Sequence, residues 1–180
     1  MKADTSTLPL VGISACLVGE RVRYNGAHKY APHVFDALSN DVRWENICPE
    51  VAAGLPVPRP AMWLLPAGDE LRLWTHDGTI DHTQSLIDAA ERTIQDLLAR
   101  GMAGFVAKAR SPSCGVGDTP IMDCTEPSRP EVIGHTSGLF VQTLQRLGPE
   151  IPIASDEALH DPIQRTRFLE QVRRRFESQA

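Results

Sequence analysis

The chain reads as an α/β domain: a single, largely parallel sheet flanked by helices. Three observations lead there. Apolar runs of strand length alternate along the chain with segments of helical periodicity, the pattern of strand–helix–strand units. The longest periodic segment, 83–100, leads directly into an apolar run at 102–109. Finally, 42% of the 180 residues are hydrophobic, enough to build a sizeable core without disulfide staples.

Taken in order, PLVGISA (9–15) reads as a short buried strand running straight into Cys16. PHVFDALSN (32–40) has Val34, Phe35 and Leu38 on one helical face, and VRWENI (42–47) is a second strand ending at Cys48. The next stretch, CPEVAAGLPVPRPAMWLLPAG, holds five prolines, which exclude a central strand or a long helix through most of it. LRLWTHDG (71–78) is an extended piece closed by an Asp-Gly turn.

From Thr83 to Arg100 apolar residues recur at 86, 87, 90, 94, 97 and 98. That spacing predicts a helix, with Asp81 or Thr83 as N-cap and Gly101 just past its end. MAGFVAKA (102–109) is then a buried strand. A helix over 137–147, a strand over 150–155 and an amphipathic helix over about 161–178 complete the chain, with Arg173, Arg174 and Arg175 on a solvated face. One domain spans 1–180, its core at about 9–157, and the architecture is Rossmann-like. Ligands of such sheets bind beyond the carboxyl ends of the strands.

Composition narrows the function. No run of 18 apolar residues exists, so no membrane span is expected. The opening MKADTSTLPLVG carries Asp4 and no long apolar stretch, so no leader is expected and the chain is placed in the cytoplasm. A net charge of -5 argues against wrapping a long nucleic acid, though it leaves room for a local basic pocket.

Four cysteines, Cys16, Cys48, Cys114 and Cys124, are too widely spaced for a CxxC ribbon or finger. Cys16, Cys48 and Cys114 nevertheless each fall at or just beyond the C-terminal end of an expected strand. If those strands are neighbours, the three thiols meet on one rim; singly, a cysteine at a strand end is more often a small buried hydrophobe.

Each of the three cysteines stands in a distinctive segment. SACLVGERVRYNG (14–26) carries two glycines, a basic pair and an aromatic. CPEVAAGLPVPRP (48–60) places Glu50 two residues past its cysteine and adds a proline-flanked Arg59. KARSPSCG (108–115) sets Lys108, Arg110, Ser111 and Ser113 before Cys114, with Pro112 stiffening the approach; Gly115 and Gly117 are expected to let the backbone pass close to a bulky group. In these segments the chain resembles the TudS-like thiouracil desulfurase family. IMDCT (121–125) and the helix and strand GLFVQTL…IPIASDE extend the likeness to about 10–157.

The resemblance implies an enzyme carrying a 4Fe-4S cluster held by Cys16, Cys48 and Cys114, with one iron left open. Thiolates are the usual ligands of such clusters, and an open position marks a catalytic metal site. The implied reaction removes sulfur from thiolated pyrimidines such as thiouracil or 4-thiouridine monophosphate, releasing sulfide and leaving the oxo-pyrimidine with no net redox change. Glu50 and Ser111 match the positions implied for proton transfer. Arg23, Arg59 and Arg110 are candidates to hold a phosphate or a ring oxygen, since arginine makes bidentate contacts, with Lys108 and Ser113 in support. The partner is thus a small thiopyrimidine or thionucleotide.

Two departures bear on pocket shape. Ala61, Met62 and Trp63 follow PRP where the family often has a short apolar residue and a glutamate, and Met122-Asp123-Cys124 stands where the family has a YDG segment. Cys124 is read as a non-ligand thiol. A closed four-cysteine metal protein without catalysis, or a nucleotide-binding module that has lost its chemistry, are the alternatives.

Overall fold

The structure, a computed structural model, describes residues 7–126 and 128–179. Residues 1–6, on which the expectation of no leader partly rests, lie outside the described residues. Four strands form the expected parallel sheet: β1 (Leu10–Ser14), β2 (Arg43–Ile47), β5 (Met102–Ala107) and β8 (Ile153–Ser155), in the order β2-β1-β5-β8. β1 and β5 are buried at every position, as strands covered on both faces must be.

Helices cover the two faces. On one, Phe168 and Val172 of α5 (Pro162–Glu177) pack against Val11, Ile13, Ala103 and Val106. On the other, Ala90, Ile94 and Leu97 of α3 (Thr83–Ala99) join Phe140, Val141 and Leu144 of α4 (Leu139–Leu147) over Met102, Phe105 and Ala107. Two short helices, α1 (Phe35–Leu38) and α2 (Pro49–Ala52), follow their expected positions and the Cys48 turn respectively. The α3 N-cap falls on His82, between the two residues expected to fill it. There the Asp81 carboxylate accepts the Thr83 N–H at 2.8 Å, doing the capping work from one position earlier. Arg173 and Arg175 make surface ion pairs with Asp41 and Glu150, in keeping with a solvated face on α5.

A second sheet was not expected. β3 (Met62–Ala67), β4 (Glu70–Thr75), β6 (Thr119–Asp123) and β7 (Glu131–Thr136) form it in the order β4-β3-β6-β7. β3 pairs antiparallel with β4 and parallel with β6, so it is a central strand inside the segment whose prolines argued against one. The physical reason lies in proline placement. Four of the five precede the strand, and Pro66 falls past Leu64, where pairing with β6 is made. Met62, Leu64 and Leu73 of this sheet pack on Leu86 of α3 and Leu139 of α4, fixing the second sheet against the helical layer. No helix among the described residues is long and apolar enough to cross a membrane.

Candidate functional site

The three strands that end nearest the expected cysteines are neighbours, in the order β2-β1-β5 and all parallel, so their carboxyl ends share one rim. Beyond β1 the chain tightens into a 3-10 turn, Ala15–Val18, that carries Cys16. Beyond β2, Cys48 is the N-cap residue of α2, with Pro49 at the first helical position and Glu50 in the first turn. Beyond β5 the loop 108–118 carries Cys114. All three cysteines line one cavity of about 330 Å³, together with Arg23, Glu50, Arg59, Lys108, Arg110 and Ser111. All four cysteines are free thiols, and Cys124 lies outside that cavity wall, after β6.

The Cys114 loop is held by backbone contacts and by the hydroxyls of Ser14, Ser111, Ser113, Thr119 and Ser137. At the start of α4, the Leu139 and Phe140 N–H groups donate to the Pro112 and Ser113 carbonyls at 3.1 and 2.9 Å. The loop therefore caps the helix, satisfying first-turn amides that no side chain serves. Gly138 makes this approach possible. A Cβ there would collide with the Ser113 backbone and stand 2.7 Å from the Cys114 nitrogen. Gly138→Ala is expected to cost about 1–3 kcal/mol through forced displacement of this loop. A Tm drop of about 2–4 °C per kcal/mol, measured on cluster-free protein, checks it.

Gly115 serves the same loop rather than the cavity. A Cβ there would clash with Thr119 Oγ1 and stand 2.9 Å from the Ser111 carbonyl, so its smallness lets the loop fold onto β6. Gly117, at φ 69°, faces open space. Neither glycine lines the cavity: Gly115 serves loop closure and Gly117 takes a left-handed turn.

The serines have distinct tasks. Ser111 Oγ accepts the Cys114 N–H at 3.1 Å and the Ser113 N–H at 3.3 Å. Ser113 is wholly buried, does not line the cavity, and donates its hydroxyl to Glu50 Oε1 at 2.8 Å. Ser14, the last residue of β1, lines the cavity and accepts the Lys108 N–H at 3.0 Å.

Glu50 sits at the centre of this arrangement. Besides Ser113, it receives the Cys48 thiol at 3.3 Å on Oε2 and lies 3.8 Å from the Arg59 guanidinium. Arg59 is almost fully buried. It donates to the Val22 carbonyl at 2.9 Å and the Pro56 carbonyl at 3.2 Å, tying the Cys16 and Cys48 loops together, while its Nε has no partner.

The other cations are committed elsewhere, with one exception. Lys108 Nζ donates to the Ala109 carbonyl at 3.0 Å and pairs with Asp156 at 3.5 Å. Arg110, whose backbone is left-handed at φ 58°, forms a two-pronged pair with Glu157 on the exposed side of its loop. Arg23 lies over the Tyr24 ring at 5.6 Å and has no carboxylate partner among the described residues.

The electrostatics confirm that the three thiols share one environment. Burial, reinforced by the Glu50 carboxylate, pushes the Cys16 thiol up to about 11 and the Cys48 thiol up to about 12. Cys114 is pushed well above the usual thiol range, mainly by burial, then by Glu50, and further by Cys16 and Cys48. Lys108 and Arg23 act in the opposite sense on Cys16, and Arg59 on Cys48. In the cluster-free protein the thiols are therefore protonated at neutral pH, and metal binding must release those protons.

The donor set fits an iron–sulfur cluster. It is three soft sulfurs on one enclosed wall, with cations facing the thiolates and no disulfide competing for them. No three or more His, Cys, Asp and Glu side chains among the described residues converge on a single-ion position. In a cluster, by contrast, each thiolate takes a different iron.

Three contributors were not visible in the sequence. Ser14 is an ordinary serine at a strand end. Asp156, buried, accepts the Ala109 N–H at 2.7 Å and holds Lys108, two contacts made across nearly fifty residues. The second sheet supplies an outer wall: Met62, Trp63 and Leu64 of β3 and Pro120 and Met122 of β6 line the cavity. The departures at Met62, Trp63 and Met122 thus fall on the pocket itself.

Comparison with known proteins follows the same segments. The profile of the 2-thiouracil desulfurase family matches residues 11–156. The uncharacterized protein YbbK of Bacillus subtilis (strain 168) is 29% identical over 114 residues, covering 60% of this chain and 74% of that protein. The solved structure of TudS, a [4Fe-4S]-dependent thiouracil desulfidase, superposes with a TM-score of 0.66 at 33% identity. That match covers 84% of this chain and 93% of the TudS chain. A cysteine-lined rim built from the matching segments, and a family profile spanning most of the chain, place it plainly: the protein belongs to the 2-thiouracil desulfurase family.

Proposed function

We propose that this protein is a [4Fe-4S]-dependent desulfidase of thiolated pyrimidines, taking a free base or its nucleotide. The observation that carries the reading is the delivery of Cys16, Cys48 and Cys114 by three neighbouring parallel strands to one cavity that Glu50 and Ser111 also line. The overall reaction is hydrolytic. Water supplies oxygen to the ring carbon, the carbon–sulfur bond breaks, and sulfide departs with the two protons of that water, without change of oxidation state.

Cys16, Cys48 and Cys114 would hold the cluster, which when bound supplies an open, sulfur-seeking iron to polarise the thiocarbonyl. The chain's own groups do the rest. Ser111 Oγ has both acceptor positions filled by amides, so its proton is its remaining function, and it is presented on the cavity wall to the ring. Glu50 is fixed at Oε1 by Ser113, which leaves Oε2 as the carboxylate oxygen to take and return a proton. Once Cys48 is deprotonated by metal, its hold on Oε2 ends. Arg59 locks this carboxylate to the two cysteine loops. Arg23, the cavity cation without a carboxylate partner among the described residues, is placed for an anionic or carbonyl oxygen of the substrate. Trp63, Met122 and the neighbouring prolines exclude water and offer a flat base apolar walls.

Protein reconstituted anaerobically to about four iron and four sulfide per chain is expected to release sulfide from 4-thiouracil or 4-thiouridine monophosphate, with loss of the thiocarbonyl's near-ultraviolet absorbance. A fully loaded protein inert towards several thiopyrimidines overturns the reading.

A further inference from the structure

Arg23, the cavity cation without a carboxylate partner among the described residues, sits in a turn closed upon itself. Its N–H donates to the Ala27 carbonyl at 3.2 Å, and its carbonyl accepts the Gly26 N–H at 2.8 Å. The Asn25 side chain accepts the Ala27 N–H at 3.1 Å. These bonds fix the shape of the turn and leave its placement against the cavity to other contacts.

Arg59 makes such contacts on both sides of Arg23. Its Nη2 donates to the Val22 carbonyl at 2.9 Å, and its backbone N–H donates to the Tyr24 carbonyl at 2.8 Å. The Cys48 thiol meets the same Val22 carbonyl only at 3.9 Å. The Arg59 side chain is itself anchored: it is 5% exposed, Nη1 donates to the Pro56 carbonyl at 3.2 Å, and Glu50 lies 3.8 Å away. Nε goes without a partner, so the guanidinium is oriented for Val22 and Pro56 rather than for its own full set of donors. Spanning two carbonyls in this way needs a planar fork, which arginine has and lysine lacks.

We propose that Arg59 is a positioning residue for the substrate, a clamp on Val22 and Tyr24 that presents Arg23 to a carbonyl or phosphate oxygen of the thiopyrimidine. Arg59 acts through Arg23 rather than on the substrate. The inference rests on the desulfidase reading above, in which Arg23 meets that oxygen.

The test compares wild type, Arg59→Lys, Arg23→Met and the double variant. Each is loaded anaerobically and assayed for iron, then for turnover of 4-thiouracil and of 4-thiouridine monophosphate. Lysine keeps the charge facing Glu50 and loses the fork. Each single variant is expected to raise KM about tenfold with kcat within about twofold of wild type, the signature of lost uniform binding. The double variant should show no higher KM than Arg23→Met, because the clamp then has nothing to present. A rise confined to the nucleotide supports a phosphate oxygen as the partner of Arg23, and a rise with both substrates supports a ring oxygen. Hydrogen–deuterium exchange gives a readout independent of turnover: amides 22–27 should exchange about tenfold faster in Arg59→Lys and at the wild-type rate in Arg23→Met. A wild-type KM in either single variant, or effects that multiply in the double one, overturns the inference and leaves the desulfidase reading standing. A fully loaded wild type inert towards both substrates overturns that reading and the inference with it. If Arg59→Lys takes up no iron, exchange decides: faster exchange over 22–27 supports the clamp and an unchanged rate overturns it.

Discussion

Replacing Cys114 with alanine is expected to abolish cluster uptake and activity, whereas replacing Cys124 with alanine is expected to leave both in place. Cys114 sits on the cavity wall with Cys16 and Cys48; Cys124 lies beyond β6 and outside that wall. Iron and acid-labile sulfide after anaerobic reconstitution are expected to fall from about four of each per chain to near zero in Cys114→Ala. The cluster-free variant should still fold, because Cys114 packs as a small hydrophobe beside Ile47, Ala107 and Phe140. A far-ultraviolet circular dichroism spectrum matching wild type separates loss of a ligand from loss of the fold. If Cys124→Ala empties the site instead, the centre is a closed four-thiolate one and the catalytic reading fails.

Glu50→Gln is the second large effect, and its signature differs. Glutamine keeps the size of the side chain and an oxygen for the Ser113 hydroxyl, so the loop geometry survives, but it cannot take and return a proton. Turnover of a fully loaded variant should fall by about 10²–10⁴-fold, the usual contribution of a positioned acid–base group, with iron content unchanged. The same substitution removes the charge facing Arg59, whose buried guanidinium is then left with the Val22 and Pro56 carbonyls and an unpartnered Nε. A stability loss of about 1–3 kcal/mol should accompany it, read as a lower Tm. Wild-type turnover in a loaded Glu50→Gln protein removes Glu50 from the proton path and leaves that task to Ser111.

The parallel sheet and its cysteine rim were legible because each depends on local pattern. PLVGISA and MAGFVAKA announce strands covered on both faces, and the 83–100 periodicity announces the helix that covers one of them. Cysteines at strand ends then converge by a general property of parallel sheets rather than by any particular contact. The second sheet lacks such a signal. β7 is exposed or half-exposed at every position, β6 contains Pro120, and β3 emerges from a proline-rich segment. These strands are specified by pairing with one another and by the few side chains that meet Leu86 and Leu139, neither of which a local pattern reports.

The cations divide in the same way. Read along the chain, Arg23, Arg59 and Arg110 were equivalent candidates for a substrate oxygen, with Lys108 in support. Folding paired Arg110 with Glu157, Lys108 with Asp156 and Arg59 with Glu50 and two carbonyls, and left Arg23 facing the cavity. The apolar pattern was enough to name the class of fold, and the resemblance of three cysteine segments was enough to name the family. The partner of each charge, the hydrogen bonds that hold the cysteine loops and the outer wall of the pocket came only with tertiary structure, because they are set by contacts between residues far apart in sequence whose local patterns do not depend on one another.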